Sequence, residues 1–261
     1  ATFGSRLQKS SSMRIGLSAQ SYPFPAPTGI ADYQLRLPGD KNIVSAVGTY
    51  ISGNAYRLEV DSQLQIVPGK LGLSIGASGA QDVFTSGATA KTWTAGGMFR
   101  WRPTDDIEIV PFWAREEKTD WESNTNRWFP AGAVLPPQVK RGAYISQDWA
   151  TWRQYDSNFG VISRAAIGSD WTIRAGLFRS LTSKVSSFIS FYRNIQPDAS
   201  ANLTIIANPP QSNGSYSGEV RVSRAFAEGP RRHTLHVAIR GRETDRIFGG
   251  GDTIGFGPAN L

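Results

Sequence analysis

Thr92-Trp93-Thr94-Ala95-Gly96-Gly97-Met98-Phe99-Arg100-Trp101-Arg102 divides by parity into two unlike faces. Trp93, Ala95, Gly97, Phe99 and Trp101 make one face greasy and aromatic. Thr92, Thr94, Gly96, Met98, Arg100 and Arg102 make the other mixed and basic. A period of two belongs to a strand whose sides meet different surroundings. The same division recurs outward along the chain. Between Ala55 and Ile66, Tyr56, Leu58 and Val60 oppose Arg57, Glu59, Asp61 and Gln63; between His233 and Arg242, Leu235, Val237 and Ile239 oppose His236, Ala238, Arg240 and Arg242. Further strands are expected at Asn42 to Tyr50, Lys70 to Phe84, Ile107 to Arg115, Asn158 to Ile167, Trp171 to Leu181 and Gly218 to Phe226, each bounded by turn residues.

Composition narrows the field. The 261 residues include 28 Lys and Arg against 21 Asp and Glu, a mildly basic +7, with 39% hydrophobic and 19% charged residues. That is too apolar for a disordered tail, and there is no apolar run of ~18 residues to serve as a spanning helix. With no Cys and two His, disulfide frameworks, thiolate metal sites and cysteine nucleophiles are excluded. Ala1 opens without a basic and then apolar leader pattern, so no secretory signal is read.

The connections alternate in length. Tight turns are expected at Val67-Pro68-Gly69-Lys70, Pro103-Thr104-Asp105-Asp106, Gly168-Ser169-Asp170 and Ala227-Glu228-Gly229-Pro230-Arg231. At the other end the links read as looser: Thr85 to Lys91, Glu116 to Asp156, Thr182 to Ser217 and Thr244 onward. Strands of ~10 residues with one apolar and one polar face, short turns at one end and long loops at the other, are what an outer-membrane barrel requires. Trp93, Trp101, Trp113, Trp171, Phe99 and Phe159 are candidates for its aromatic girdles. The competing reading is a secreted β-rich carbohydrate-binding or adhesion module, with the aromatics filling a sandwich core; it favours shorter strands and turns of similar size at both ends.

Residues 1 to 41 differ. Ser10-Ser11-Ser12 and Tyr22-Pro23-Phe24-Pro25-Ala26-Pro27-Thr28-Gly29 exclude a central strand before Gly29. Ile30 to Leu37 reads as a short strand outside the main wall, with Pro38-Gly39-Asp40 as hinge. The segment Pro27-Thr28-Gly29-Ile30-Ala31-Asp32-Tyr33-Gln34-Leu35-Arg36-Leu37-Pro38-Gly39-Asp40 resembles the end of the plug domain of TonB-dependent receptors, leading into the first barrel strand. The hairpins around Val67-Pro68-Gly69-Lys70, Arg100 to Asp105 and Ala225 to Leu235 are similar to barrel hairpins of its siderophore-receptor-like branch.

That resemblance implies an all-β fold, a partial antiparallel transmembrane β-barrel with a short plug-derived segment: 1–41 the plug's C-terminal tail, 42–261 the first part of the barrel. Family barrels have about 22 strands, whereas at ~10 residues per strand about nine or ten fit here. The energy-coupling box, most of the plug and an aromatic-ended final strand are absent, so a fragment is expected. The implied function is active uptake, in the bacterial outer membrane, of a scarce ligand such as a ferric siderophore. Implied partners are a TonB-type energy-transducing complex acting through the plug, the small-molecule ligand and outer-membrane lipid. No enzyme activity and no resident cofactor are implied, iron entering only within a transported chelate. A passive porin is disfavoured by Ile30 to Asp40.

Other motifs weigh less. Gly72-Leu73-Ser74-Ile75-Gly76 matches a nucleophile elbow, but its Ser sits inside an alternating strand rather than between strand and helix. His233 and His236 fall on opposite faces of a strand and cannot share a metal. Gly249-Gly250-Gly251-Asp252 lacks the Lys and helix of a phosphate loop. Arg57, Arg100, Arg102, Arg164, Arg174, Arg221, Arg240 and Arg242 are interleaved with Glu59, Asp61 and Glu219, which argues against nucleic acid. The stretch Glu116 to Asp156 holds the candidate ligand residues Trp121, Arg127, Trp128, Phe129, Arg141, Tyr144, Trp149, Trp152, Arg153 and Tyr155. Aromatics with Arg dominate recognition surfaces, and the guanidinium fork suits a carboxylate, catecholate or phosphate.

Overall fold

A computed structural model describes residues 5–15, 30–51, 53–122, 127–132, 135, 138 and 140–261. The prolines between Tyr22 and Gly29 lie outside them. Nine strands of the main wall follow one another as antiparallel neighbours: β3 (Ile43–Ile51), β4 (Ala55–Val67), β5 (Leu71–Val83), β6 (Thr89–Thr104), β7 (Ile107–Glu122), β9 (Thr151–Ile167), β10 (Trp171–Ile195), β12 (Gln211–Glu228) and β13 (Arg231–Ile247). Neither edge strand, β3 nor β13, has a further neighbour among the described residues. The fold is therefore part of a barrel wall, open on two sides.

All four expected tight turns are present: in three of them Gly69, Gly168 and Gly229 adopt a positive φ (71°, 61° and 58°), and the fourth turns at Asp105-Asp106 without one. The far end departs from expectation. Thr182 to Ser217 is not a loose link: β10 continues to Ile195, turns back as β11 (Ser200–Asn208) and enters β12 at Gln211. Likewise the stretch Glu116 to Asp156 shrinks to a connection between Glu122 and Thr151, and residues after Thr244 form the end of β13 and then β14 (Asp252–Asn260). Serines at 183, 186, 187 and 190 gave this region a loop-like composition, but Val185, Phe188, Ile189 and Phe191 among them pack well on a pleated surface. The upper strands, with β8 (Arg127–Pro130) parallel to β10, form a crown built on Tyr192, Ile195, Ala201, Leu203 and Ile205.

Parity assigns the faces. Trp93, Phe99, Trp101, Trp113, Phe159, Leu177 and Val220 point outward and stay exposed, and no second sheet covers them among the described residues. A sandwich core is thus excluded for this side. Two aromatic levels mark it. Trp101, Trp171 and Phe226 lie within four residues of their turns, and Tyr56, Trp93, Tyr155 and Tyr216 lie twelve or thirteen residues from the turns that follow their strands. The levels are separated by roughly 27 Å along a strand, or roughly 20 Å of height at ~40° tilt, close to the apolar band of membrane barrels. Charges respect the same division: Arg115 and Arg179 reach the upper ring, their guanidiniums 4.7 Å and 4.5 Å from the Tyr155 and Tyr216 ring centres. Arg224 reaches the lower one, 5.3 Å from Trp171.

A charge midway should therefore be costly. Leu177→Arg, at the centre of the outer face, is expected to cost about 3 kcal/mol and to deplete the heat-resistant, membrane-inserted form on gels. Ser215→Arg, facing inward on β12, should leave that form intact; equal behaviour would refute the assignment of faces.

The concave side receives the N-terminal residues. A 3-10 turn at Ser5–Leu7 leads into β1 (Gln8–Arg14), which pairs with β2 (Ile30–Leu35) in a separate two-stranded sheet. The expectation from sequence contained β2 but not β1, because Ser10-Ser11-Ser12 carries no hydrophobic period. Leu7 is buried against Met98, Val110 and Phe112. It fits because Gly76 and Gly96 lack side chains: a Cβ there would stand 3.3 Å and 3.1 Å from Leu7 carbons. A Cβ on Gly72 would meet Pro38 at 2.7 Å. Ser74, fully buried, gives its hydroxyl to Arg36 O at 3.2 Å. The Gly-x-Ser-x-Gly stretch is thus the seat of the N-terminal segment. Arg36 also pairs with Asp61 at 3.2 Å.

Candidate functional site

At the mouth of the concave side, strand irregularity builds an aromatic platform. On β7 the outward parity runs Trp113, Arg115, Glu117, which would send Trp121 outward too. Asp120 interrupts it with φ of 48°, and the β7–β9 register slips between Lys118 and Trp121. One extra residue reverses every side chain beyond it. Trp121 therefore turns to the lumen opposite Trp152, their rings 4.5 Å apart. Phe84 stacks on Trp121 at 5.9 Å with planes 5° apart.

Two ammonium groups flank this pair. Lys118 Nζ lies 5.2 Å from the Trp121 ring, and Lys184 Nζ the same distance from Trp152. Both indole Nε1 atoms are buried, with no acceptor among the described residues. Below the platform the wall is hydrogen-bonded to itself: Asp156 accepts from Thr182 Oγ1 at 2.5 Å and Gln154 Nε2 at 2.8 Å, and Lys118 pairs with Glu116 at 3.2 Å. Aromatic rings with flanking ammonium groups suit a planar, anionic ligand.

The ten residues expected from sequence are divided by the structure. Trp121 and Trp152 meet in the lumen. Trp149 stands edge-on to Phe188 at 5.4 Å, and Phe129 stacks on Phe191 at 6.0 Å, both in the crown. Arg141 is exposed in the turn before Tyr144, whose hydroxyl donates to Gln147 O at 3.2 Å. Burial raises the Tyr144 hydroxyl above the usual phenol range, and the same cause raises Tyr192, which donates to Ile145 O. Both stay neutral donors that pin this connection to the crown. The backbones of Arg127 and Trp128 belong to β8, and their side chains lie outside the described residues. Arg153 and Tyr155 point outward: Arg153 pairs with Glu117 at 2.6 Å, and Tyr155 lies beneath Arg115.

Phe84, Lys118 and Lys184 were missed. Phe84 read as a strand end and Lys184 as part of a loose link, and nothing local announces the bulge that brings Trp121 to them. His233 and His236 do lie on opposite faces, opposite Phe226 and Ser223 respectively.

No family model and no curated protein matches the sequence. Solved structures do match. The ferripyoverdine receptor of the outer membrane of Pseudomonas aeruginosa superposes with a TM-score of 0.74 at 14% identity, covering 95% of this chain and 34% of the receptor. BauA, the ferric preacinetobactin receptor of Acinetobacter baumannii, gives 0.71 at 13%, covering 93% and 38%. The ferric-catecholate import receptor Fiu of E. coli K12 gives 0.71 at 12%, covering 94% and 37%. The chain spans about a third of the length of these receptors. It shares the fold of part of their barrels.

Proposed function

We propose that this chain is part of an outer-membrane receptor that takes up a ferric siderophore, with residues 1–41 the tail of its plug and 42–261 the first portion of its barrel. One observation carries the reading: an N-terminal segment lodges against the concave face of a wall whose other face is apolar and uncovered among the described residues. That is the arrangement of a plugged membrane barrel. The shared fold with solved siderophore receptors supports the same conclusion.

In this reading Trp121, Trp152 and Phe84 receive the flat rings of an anionic chelate, and Lys118 and Lys184 offset its charge. Trp149, Phe129, Arg141 and Tyr144 surround the entrance. Arg153 and Tyr155, facing outward, do not touch the ligand. Iron passes as cargo, and no bond is made or broken. A periplasm-spanning TonB-type complex pulls on the plug, separating Leu7 from its glycine seat and Arg36 from Asp61.

Uptake of iron-55 as a catecholate and as a hydroxamate chelate tests this. Deleting the gene in iron-limited cells should reduce uptake of one of them to background, as should removing the energy-transducing complex. Unchanged uptake of both chelates, or recovery of the protein from the soluble periplasm, would end the proposal.

The Arg36 to Asp61 contact makes a smaller prediction. Asp61 is 3% exposed but Arg36 is 31%, so solvent screens the pair in part. Asp61→Asn should weaken docking of the N-terminal segment by about 1 kcal/mol, measured as faster amide exchange in β1 and β2. Exchange matching the parent chain would show the pair to be ornamental.

A further inference from the structure

The lumenal face carries a second group of cations, far below the platform. Ten residues down the same strands from Lys118, Gln154 and Lys184 stand Glu108, Arg164 and Arg174, with no register shift between, so all six share one face. The separation is roughly 33 Å along the strands. Glu108, Arg164, Arg174 and Arg221 lie in direct register across β7, β9, β10 and β12. The carboxylates nearby are already taken: Glu108 accepts from Arg100 at 2.6 Å, and Glu219 pairs with Arg221 at 2.7 Å. Arg164 and Arg174 stay exposed, directly opposite each other, with no ion pair among the described residues. Like charges so placed destabilise a sheet, and an arriving anion relieves the repulsion.

A gap leads down to them. On one side the N-terminal segment is closed against the wall by Leu7, by Pro38 on Gly72 and by the Arg36 to Asp61 pair. On the other side Tyr33 and Leu35 of β2 face Phe112, Asn158, Phe178 and Ser180 across a cavity of about 460 Å³. The Phe112 and Phe178 rings stand 5.8 Å apart. They lie over Gly160 and Gly176, where a Cβ would meet them at 2.9 Å and 2.7 Å. Phe178 is four residues above Arg174 and six below Lys184 on the same strand. Cations above, aromatic rings midway and cations below thus repeat one chemistry down one face. Rows of Arg line anion pathways in membrane proteins, and a cleft lined by one sign of charge concentrates the opposite ion. We propose that Arg164, Arg174 and Arg221 form a lower anion site, which receives a trianionic ferric tris-catecholate as it passes Phe112 and Phe178 beside β2. A ferric trihydroxamate, neutral and without aromatic rings, gains nothing from the row. The site rests on the receptor reading above and narrows its cargo.

Iron-55 uptake by cells making the full-length protein tests it, with a ferric tris-catecholate and a ferric trihydroxamate as probes. Arg164→Gln with Arg174→Gln should lower the maximal rate for the tris-catecholate about tenfold, the loss expected when a one-sign cleft is stripped of its charge. Surface capture by energy-depleted cells should be unchanged, because the platform lies far above. Arg164→Lys with Arg174→Lys keeps the charge and should hold the rate within about twofold of the parent. Should the glutamine pair fail to insert, Arg174→Gln alone is read in its place, with about a threefold loss expected. Large hydrophilic antibiotics should still be excluded; their entry would show that the row holds the plug and not the cargo, and would overturn the site. A maximal rate equal to the parent's, or equal losses in capture and in rate, would overturn it too. A parent chain that carries the trihydroxamate alone overturns this site and leaves the receptor reading standing, whereas one that carries neither chelate overturns both.

Discussion

Leu7→Asp will leave the wall intact and undock the segment in front of it. Leu7 is 3% exposed and touches the wall where Gly76 and Gly96 have made room. Removing a buried leucine costs about 2–5 kcal/mol, and placing a carboxylate in that apolar seat adds to it. A total of about 5 kcal/mol changes the docking equilibrium by more than a thousandfold. Amide exchange in β1 and β2 would report it directly, and cells carrying the variant in the full-length protein should admit large hydrophilic antibiotics. Gly96→Leu attacks the same contact from the other side, since a Cβ there already stands 2.9 Å from Trp113 O and 3.1 Å from Leu7 Cδ1. Leu7→Met, similar in volume, serves as the tolerated control. Unaltered exchange in both Leu7→Asp and Gly96→Leu would show that Leu7 does not anchor the segment.

Trp121→Ala with Trp152→Ala should abolish high-affinity capture while leaving insertion normal. A tryptophan at the centre of a contact is worth about 2 kcal/mol or more when truncated, roughly thirtyfold in affinity. The two rings touch, so their losses will not simply add; a combined loss of a few hundredfold is expected. Fluorescence titration of the full-length protein with a ferric catecholate and a ferric hydroxamate chelate measures it. Asp120→Gly, which keeps the positive φ available, should bind normally. Asp120→Val, a β-branched residue that resists the positive φ and favours an unbulged strand, should mimic the double variant by returning Trp121 to the outer face. If Asp120→Val binds as tightly as the parent chain, the bulge is not what orients the platform.

Those cases show where sequence sufficed. Trp93 to Arg102 disclosed both faces because a regular strand keeps its period, and membrane and lumen impose opposite demands on alternate residues. Turns at Gly69, Gly168 and Gly229 were legible because local backbone angles dictate their residues. Trp121 was named as a ligand candidate on composition alone, yet its direction depends on an inserted residue whose effect appears only through pairing with β9. Beyond the membrane band the two-sided demand vanishes, so the period fades, and the serine-rich end of β10 reads as a loop although it is strand. Arg153 and Tyr155 fall nearby in the chain but across the sheet from Trp152, a separation that proximity in sequence conceals.

The two free margins of the wall impose an arithmetic on whatever completes it. Counting along the antiparallel path, β3 and β13 are first and ninth among the described residues, and so run in the same direction. Curling them together would create a parallel seam, foreign to an all-antiparallel cylinder. A second copy inserted with the same orientation offers no remedy, since its β3 would also meet β13 head to head. Closure therefore demands an odd number of additional strands, the first and last both running opposite to these margins.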